Sequence, residues 1–247
     1  MMKRNPKLKR RWLIAISIFA VIIIAPFSSY VLSYQPQAQA KTAFENAIQK
    51  NGYYQFLSDQ SSVGIIFYPG GLVNPIAYAS FAQSLSLETN SSVFVTQPLW
   101  NLAITNIEGA STIIHANPSI DFWLVGGHSL GGSSAAFYAF NHLDEVNGLF
   151  FLASYTTEDA DFSETVLPIL SITGSEDQIL DLQTYQAAEI YHSPFTTTHI
   201  IDGGNHSQFG DYGFQRGDGI AGVTLSEQMT ETIITITTWL FFITLMQ

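Results

Sequence analysis

The segment Gly127-His128-Ser129-Leu130-Gly131-Gly132 sets a serine between two glycines at the spacing G-x-S-x-G. A serine hydroxyl is a weak nucleophile until a base takes its proton, so the pattern implies a histidine, and an acid to orient it, elsewhere in the chain. The spacing carries information only in context, because the serine must be lifted out of a sharp strand-to-helix turn. That context is present. The apolar run Asp121 to Val125 reads as a buried strand, and Leu130 to His142 reads as the following helix. Gly127 and Gly131 would relieve crowding in the turn, and small residues at Gly132, Ser133 and Ala135 would let the helix lie close to the sheet. The free amides of the first helical turn would point at any charge forming beside the serine.

Around this turn, short β-branched and aromatic runs alternate with longer helix-compatible stretches. Strands are expected at Val63 to Tyr68, Ser92 to Thr96, Asp121 to Val125, Gly148 to Ala153, Ile169 to Thr173 and Thr198 to Ile201. Helices are expected at Ile76 to Leu87, Leu102 to His115, Leu130 to His142, Leu182 to Tyr191 and Ser226 to Leu245. The alternation predicts an α/β fold: a mostly parallel central sheet with helices on both faces. The acidic stretch Ser154 to Pro168 is too short to hold a cap domain.

With these elements placed, the chain resembles the α/β-hydrolase superfamily, and within it the compact lidless bacterial enzymes related to dienelactone hydrolases. The resemblance runs over residues 53 to 246. It is carried by Ile66-Phe-Tyr-Pro-Gly-Gly71, Gly126 to Gly132, Gly148-Leu-Phe-Phe-Leu-Ala153 and Gly203-Gly-Asn-His-Ser-Gln-Phe-Gly-Asp-Tyr-Gly213. It implies Ser129 as nucleophile, with an acid and then a histidine following in chain order. His206, in the loop after the last strand, matches the family's base, with His199 as its nearest rival. Asp177, in Gly174-Ser-Glu-Asp177, matches the acid, with Glu176 and Asp181 in reserve, while Asp211 is expected to hold the histidine loop through backbone amides. The resemblance also implies an oxyanion hole of backbone N–H groups from Leu130 and from Gly71 or its neighbour Leu72, although this chain reads Pro69-Gly70-Gly71 where many relatives read His-Gly. The activity implied is a serine hydrolase acting on a small carboxylic ester or related acyl substrate through an acyl-enzyme, without metal or cofactor. An acyltransferase or peptidase using the same residues, or a non-catalytic binding protein on this fold, stays open. Leu72, Trp100, Tyr155 and Phe209 are candidates to line the cleft.

Composition bounds the rest. Hydrophobic residues make up 47% of 247 and charged ones 12%, which suits one sizeable core. Six of the nine cations are Lys3, Arg4, Lys7, Lys9, Arg10 and Arg11. The remainder of the chain carries three against 20 acids, a balance that repels nucleic acid and anionic lipid surfaces. The absence of cysteine excludes disulfides, thiolate ligands and a cysteine nucleophile. After the basic start, Trp12 to Tyr34 runs 23 residues without a charge, long enough to span a bilayer of roughly 30 Å. The organisation expected is therefore a basic, membrane-anchoring segment over residues 1–40 and a hydrolase domain over 41–247. The cations would hold the N-terminus inside and place the domain outside the cytoplasm. Ala38-Gln39-Ala40 offers the alternative of a cleaved signal and a secreted domain. The apolar C-terminal stretch, with Met229, Ile233, Ile236, Leu240 and Ile243 at helical spacing, is expected to pack on the core.

Overall fold

The six apolar runs form six parallel strands of one sheet: Val63–Tyr68 (β3), Ser92–Thr96 (β4), Phe122–His128 (β5), Gly148–Leu152 (β6), Ile169–Gly174 (β7) and Thr196–Ile201 (β8). The computed structural model describes residues 32–58 and 61–245. Most of the expected anchor or signal segment, up to residue 31, lies outside them. Two further strands, Ile48–Lys50 (β1) and Tyr53–Phe56 (β2), add an antiparallel edge that periodicity does not predict, giving the order β1-β2-β4-β3-β5-β6-β7-β8. The order reverses between β3 and β5, which lie side by side with Tyr68 opposite Gly127. A crevice at such a switch point, beyond the carboxyl ends of the strands, is where this architecture places ligands.

Alternation along each buried strand feeds two cores. On one face Ile65, Phe67 and Leu124 pack with helices Ala38–Phe44 (α1), Ala79–Thr89 (α2) and Leu225–Thr244 (α6). On the other, Ile66, Tyr68, Trp123 and Val125 pack with Gly109–Ala116 (α3) and Leu130–Asn141 (α4). A shorter helix, Leu182–Ala188 (α5), joins β7 to β8. The expected helix over Leu102 to His115 divides into a 3₁₀ turn, Ala103–Asn106, and α3; that over Ile76 to Leu87 starts as the 3₁₀ turn Pro75–Tyr78. Between β6 and β7 the connection holds only the 3₁₀ turn Glu158–Ala160, so the sheet carries no cap there.

Helix α6 starts at a capping box made by Thr224 and Glu227. It buries Met229, Ile233, Ile236, Trp239, Leu240 and Ile243, so the C-terminal stretch packs on the core. No helix among the described residues is long and apolar enough to cross a membrane.

Chain ahead of the expected domain start is built into the fold. The compact unit begins at Tyr34. The Tyr34 N–H donates to the Leu72 carbonyl at 2.8 Å, and the Asn74 N–H donates to the Tyr34 carbonyl at 3.0 Å. Ala40 is fully buried in α1, and its N–H donates to the Asp211 carboxylate at 2.7 Å. The Asp211 backbone also accepts from the Gln37 N–H and donates to the Ala77 carbonyl, each at 2.8 Å. The Asp211 carboxylate thus satisfies a free amide at the start of α1 rather than bracing its own loop. Asp211→Ala leaves that amide buried without an acceptor, which costs about 2 kcal/mol. The expected result is a Tm lower by about 4–8 °C; calorimetry showing an unchanged Tm would contradict this account of α1.

Candidate active site

Backbone contact at the end of β3 shapes the turn that carries Ser129. A Cβ on Gly131 would lie 2.1 Å from the Tyr68 carbonyl oxygen and 2.5 Å from that of Pro69, and a Cβ on Gly127 would lie 2.5 Å from the Gly131 carbonyl carbon. Only glycine lets α4 start this close to the sheet. The helix then begins without room for a relaxed loop, and Ser129 takes φ 52°, ψ −123°. A non-glycine residue in such a conformation costs of order 1–3 kcal/mol and persists only where its surroundings impose it. Here the Ser129 N–H donates to the Leu152 carbonyl at 3.0 Å, and its carbonyl accepts from Gly132 N–H at 2.9 Å and Ser154 Oγ at 2.7 Å.

His206 follows β8 and Asp177 follows β7. The register of these strands sets Gly174 opposite Ile201, so the two loops leave the sheet side by side. The His206 imidazole meets the Asp177 carboxylate, Nδ1 to Oδ2, at 2.8 Å, with both side chains 2% exposed. The other Asp177 oxygen accepts from the N–H groups of Ile179 and Leu180 at 2.9 and 2.8 Å. With the Nδ1 proton donated to Asp177, the lone pair of His206 stands on Nε2.

Two residues that the sequence did not single out hold this arrangement. Asp218, buried, accepts from the Ser207 N–H at 2.7 Å, from the Ser207 hydroxyl, from the Gly219 N–H at 2.8 Å, and from the amides of Gln178 and His206 at 3.3 and 3.4 Å. One carboxylate therefore ties the Asp177 loop to the His206 loop. Tyr78, fully buried, accepts from the Gly70 N–H at 3.0 Å and pairs with His128 Nδ1 at 2.8 Å. The phenol proton is then given to Nδ1, which leaves the proton of the neutral imidazole on Nε2, a buried atom with no hydrogen-bond partner among the described residues. The two imidazoles lie 4.5 Å apart between ring centres. Burial first, and the neighbouring His206 second, hold His128 well below the usual imidazole range, partly offset by the His206 backbone. It is a neutral spacer touching the loops of Gly70, Ser129 and His206. A lone Asp among glycines and a Tyr in a helical stretch give no sequence signal for these roles.

Of the expected oxyanion donors, Gly71 and Leu130 come together: a Cβ on Gly71 would lie 3.0 Å from Leu130 Cδ2. Neither N–H has a hydrogen-bond acceptor among the described residues. Leu72 is a correction. Its N–H is donated to the Asn101 carbonyl at 2.7 Å and so is not free to receive an oxyanion. The reserve acids also have other places: Asp181 is the N-cap of α5, accepting from Thr184 N–H at 2.7 Å, and Glu176 is exposed. His199 pairs with Glu231 at 2.8 Å on the outer edge of the sheet. Phe209 is buried against His128, with ring centres 5.7 Å apart, and does not line a cleft; Trp100 and Tyr155 keep partial exposure at the strand ends. No group of three or more His, Asp and Glu side chains suited to a metal ion occurs among the described residues.

Residues 64–230 match the family model described as the alpha/beta hydrolase family. Similar solved structures include a lipase candidate from Acinetobacter baumannii, 12% identical, covering 85% of this chain and 98% of that one with a TM-score of 0.65. A CIB-like hydrolase, so named by prediction, from Thermoplasma acidophilum is 15% identical over 78% and 96%, with a TM-score of 0.58. An esterase from Pyrobaculum calidifontis is 14% identical over 96% and 99%, with a TM-score of 0.56. At these identities the likeness is one of fold. No curated protein matches the sequence.

Because His128 is neutral in the fold and titrates normally when unfolded, acid destabilises the protein. The folded pKa is depressed, so the unfolded chain binds the extra proton first. Stability is retained above about pH 6.5 and falls below it, by up to about 1.4 kcal/mol per pH unit for this group. His128→Asn keeps an acceptor toward Tyr78 but removes the titration. Its unfolding free energy is expected to fall less steeply than wild type between pH 6.5 and 5, and parallel slopes in urea titrations would contradict the assignment.

Proposed function

The chain belongs to the alpha/beta hydrolase family, and on that premise we propose that it hydrolyses carboxylic esters or related acyl compounds through Ser129, His206 and Asp177. The observation that carries the reading is the buried 2.8 Å pair of His206 Nδ1 and Asp177 Oδ2, one residue on from the strained serine turn through the His128–His206 contact. His206 Nε2 takes the Ser129 proton as Oγ attacks the acyl carbon. Asp177 fixes the tautomer and stabilises the imidazolium. The N–H groups of Gly71 and Leu130 receive the oxyanion; loss of one such donor typically costs about 100- to 1,000-fold in rate. The leaving alcohol is protonated by His206, and a water activated by the same nitrogen then releases the acid from Ser129.

We also propose that the domain lies outside the cytoplasm, a reading supported by the uncharged run Trp12 to Tyr34 behind six cations, which would hold it to the membrane. Retention of the run is favoured over cleavage after Ala40, because cleavage there would remove Tyr34 and Gln37, whose backbone bonds brace the Leu72 and Asp211 loops.

Wild type should hydrolyse p-nitrophenyl butyrate and label with a fluorophosphonate. Ser129→Ala should lose the label and at least about a thousandfold in kcat/KM, and Asp177→Asn about ten-thousandfold in kcat. Equal labelling of wild type and Ser129→Ala would sink the proposal.

A further inference from the structure

The loops beyond the carboxyl ends of the strands expose apolar side chains on one side of the proposed cleft. Leu99, Trp100 and Ile104 stand after β4, and Phe214 and Ile220 after β8, with exposures from 42% for Trp100 to 86% for Ile220. These are not incidental ends of flexible loops. Trp100 and Asn101 are both held at left-handed φ, 57° and 54°, a conformation that non-glycine residues avoid, and the turn is fixed by the bond from Leu72 N–H to the Asn101 carbonyl. The backbone is thus constrained to hold an indole at the surface, and tryptophan is the side chain best suited to a boundary between water and hydrocarbon. The loops after β6 and β7 carry the exposed acids Glu158, Asp159, Glu176 and Asp181.

The place where the uncharged run joins the domain lies between the two apolar loops. Tyr34 donates its N–H to the Leu72 carbonyl, and Leu72 in turn is bonded to the Leu99–Asn101 turn; the Tyr34 hydroxyl accepts from the Arg216 N–H at 3.3 Å in the loop that carries Phe214 and Ile220. The densest apolar stretch of the run ends at Ala25. The eight residues 26–33 that follow can reach no further than about 28 Å even when fully extended. A bilayer holding that stretch would keep the Tyr34 junction, and the two loops bonded to it, within that reach of its surface.

We propose that Trp100, Leu99, Ile104, Phe214 and Ile220 form a surface that docks on the lipid bilayer, so that the cleft opens toward the membrane and receives esters held in it. The inference rests on the membrane-anchor reading of Trp12 to Tyr34, and its test does not depend on ester hydrolysis.

The chain has no cysteine, so single sites can be labelled cleanly. Full-length Ile220→Cys and Val166→Cys, the latter 79% exposed just ahead of β7 at the opposite end of the sheet, are labelled with a nitroxide. Each is then reconstituted in vesicles of phosphatidylcholine, whose zwitterionic surface does not repel the acidic domain. The expected result is co-flotation of both chains, with the label at 220 relaxed more by oxygen than by a water-soluble nickel chelate and the label at 166 showing the reverse. Co-flotation with both labels water-like, or both lipid-like, overturns the docking surface alone. Failure to co-float overturns the anchor and the docking surface together, while leaving ester hydrolysis in detergent as a separate matter.

Discussion

The approach of one backbone to another at the end of β3 governs what this protein can do. The space between the first turn of α4 and the carbonyl groups of Tyr68 and Pro69 is too small for any side chain at Gly131. With the helix start pinned there, the residue between strand and helix has no relaxed conformation available, and Ser129 is left at φ 52°. The same closeness brings the Leu130 side chain against Gly71, the two residues whose amides are proposed to receive the oxyanion. The strain arises from one packing constraint, held by the two cores together with the hydrogen bonds of the Ser129 backbone.

The remaining parts are loops, and loops keep their geometry only when tied. Two buried carboxylates do this in different ways. Asp177 spends one oxygen on two amides of its own loop and the other on His206, whereas Asp218 reaches both loops at once. A buried carboxylate without a cation is tolerable only when such donors surround it. His128 completes the frame as an imidazole kept neutral by its burial, standing between the Tyr78 hydroxyl and the His206 backbone. Movement of the Asp177 or the His206 loop is therefore felt by the other through hydrogen bonds, and by the serine turn through the packed His128 and His206 rings.

How much of this was legible in the sequence follows from how local each feature is. Parallel strands buried on both faces read as apolar runs, so β3 to β7 stand out within two or three residues, whereas the largely exposed edge strand β8 is read from its β-branched residues. Strand β1, with all three residues exposed, and the four-residue β2 carry no such signal. Helix α1 lies in Ala38-Gln39-Ala40, which also reads as a processing site, and its place depends on a bond to Asp211 far along the chain. Ser129, Asp177 and His206 could be proposed from the sequence because each sits close behind a strand end, and the structure pairs His206 with Asp177. Leu72 was misread because a carbonyl from the next crossover claims its amide. Asp218 and Tyr78 were missed because their partners are scattered over separate segments, and no spacing encodes that.

The most direct test of the account is to catch the acyl group on the enzyme. During steady-state turnover of p-nitrophenyl butyrate, acid quenching followed by intact-mass measurement and peptide mapping should find a butyryl increment confined to Ser129. It should accumulate when hydrolysis of the intermediate is the slower step and vanish on exhaustion of substrate. Sustained turnover with no acyl increment, or an increment on another residue, would contradict the claim that this strained serine is the nucleophile.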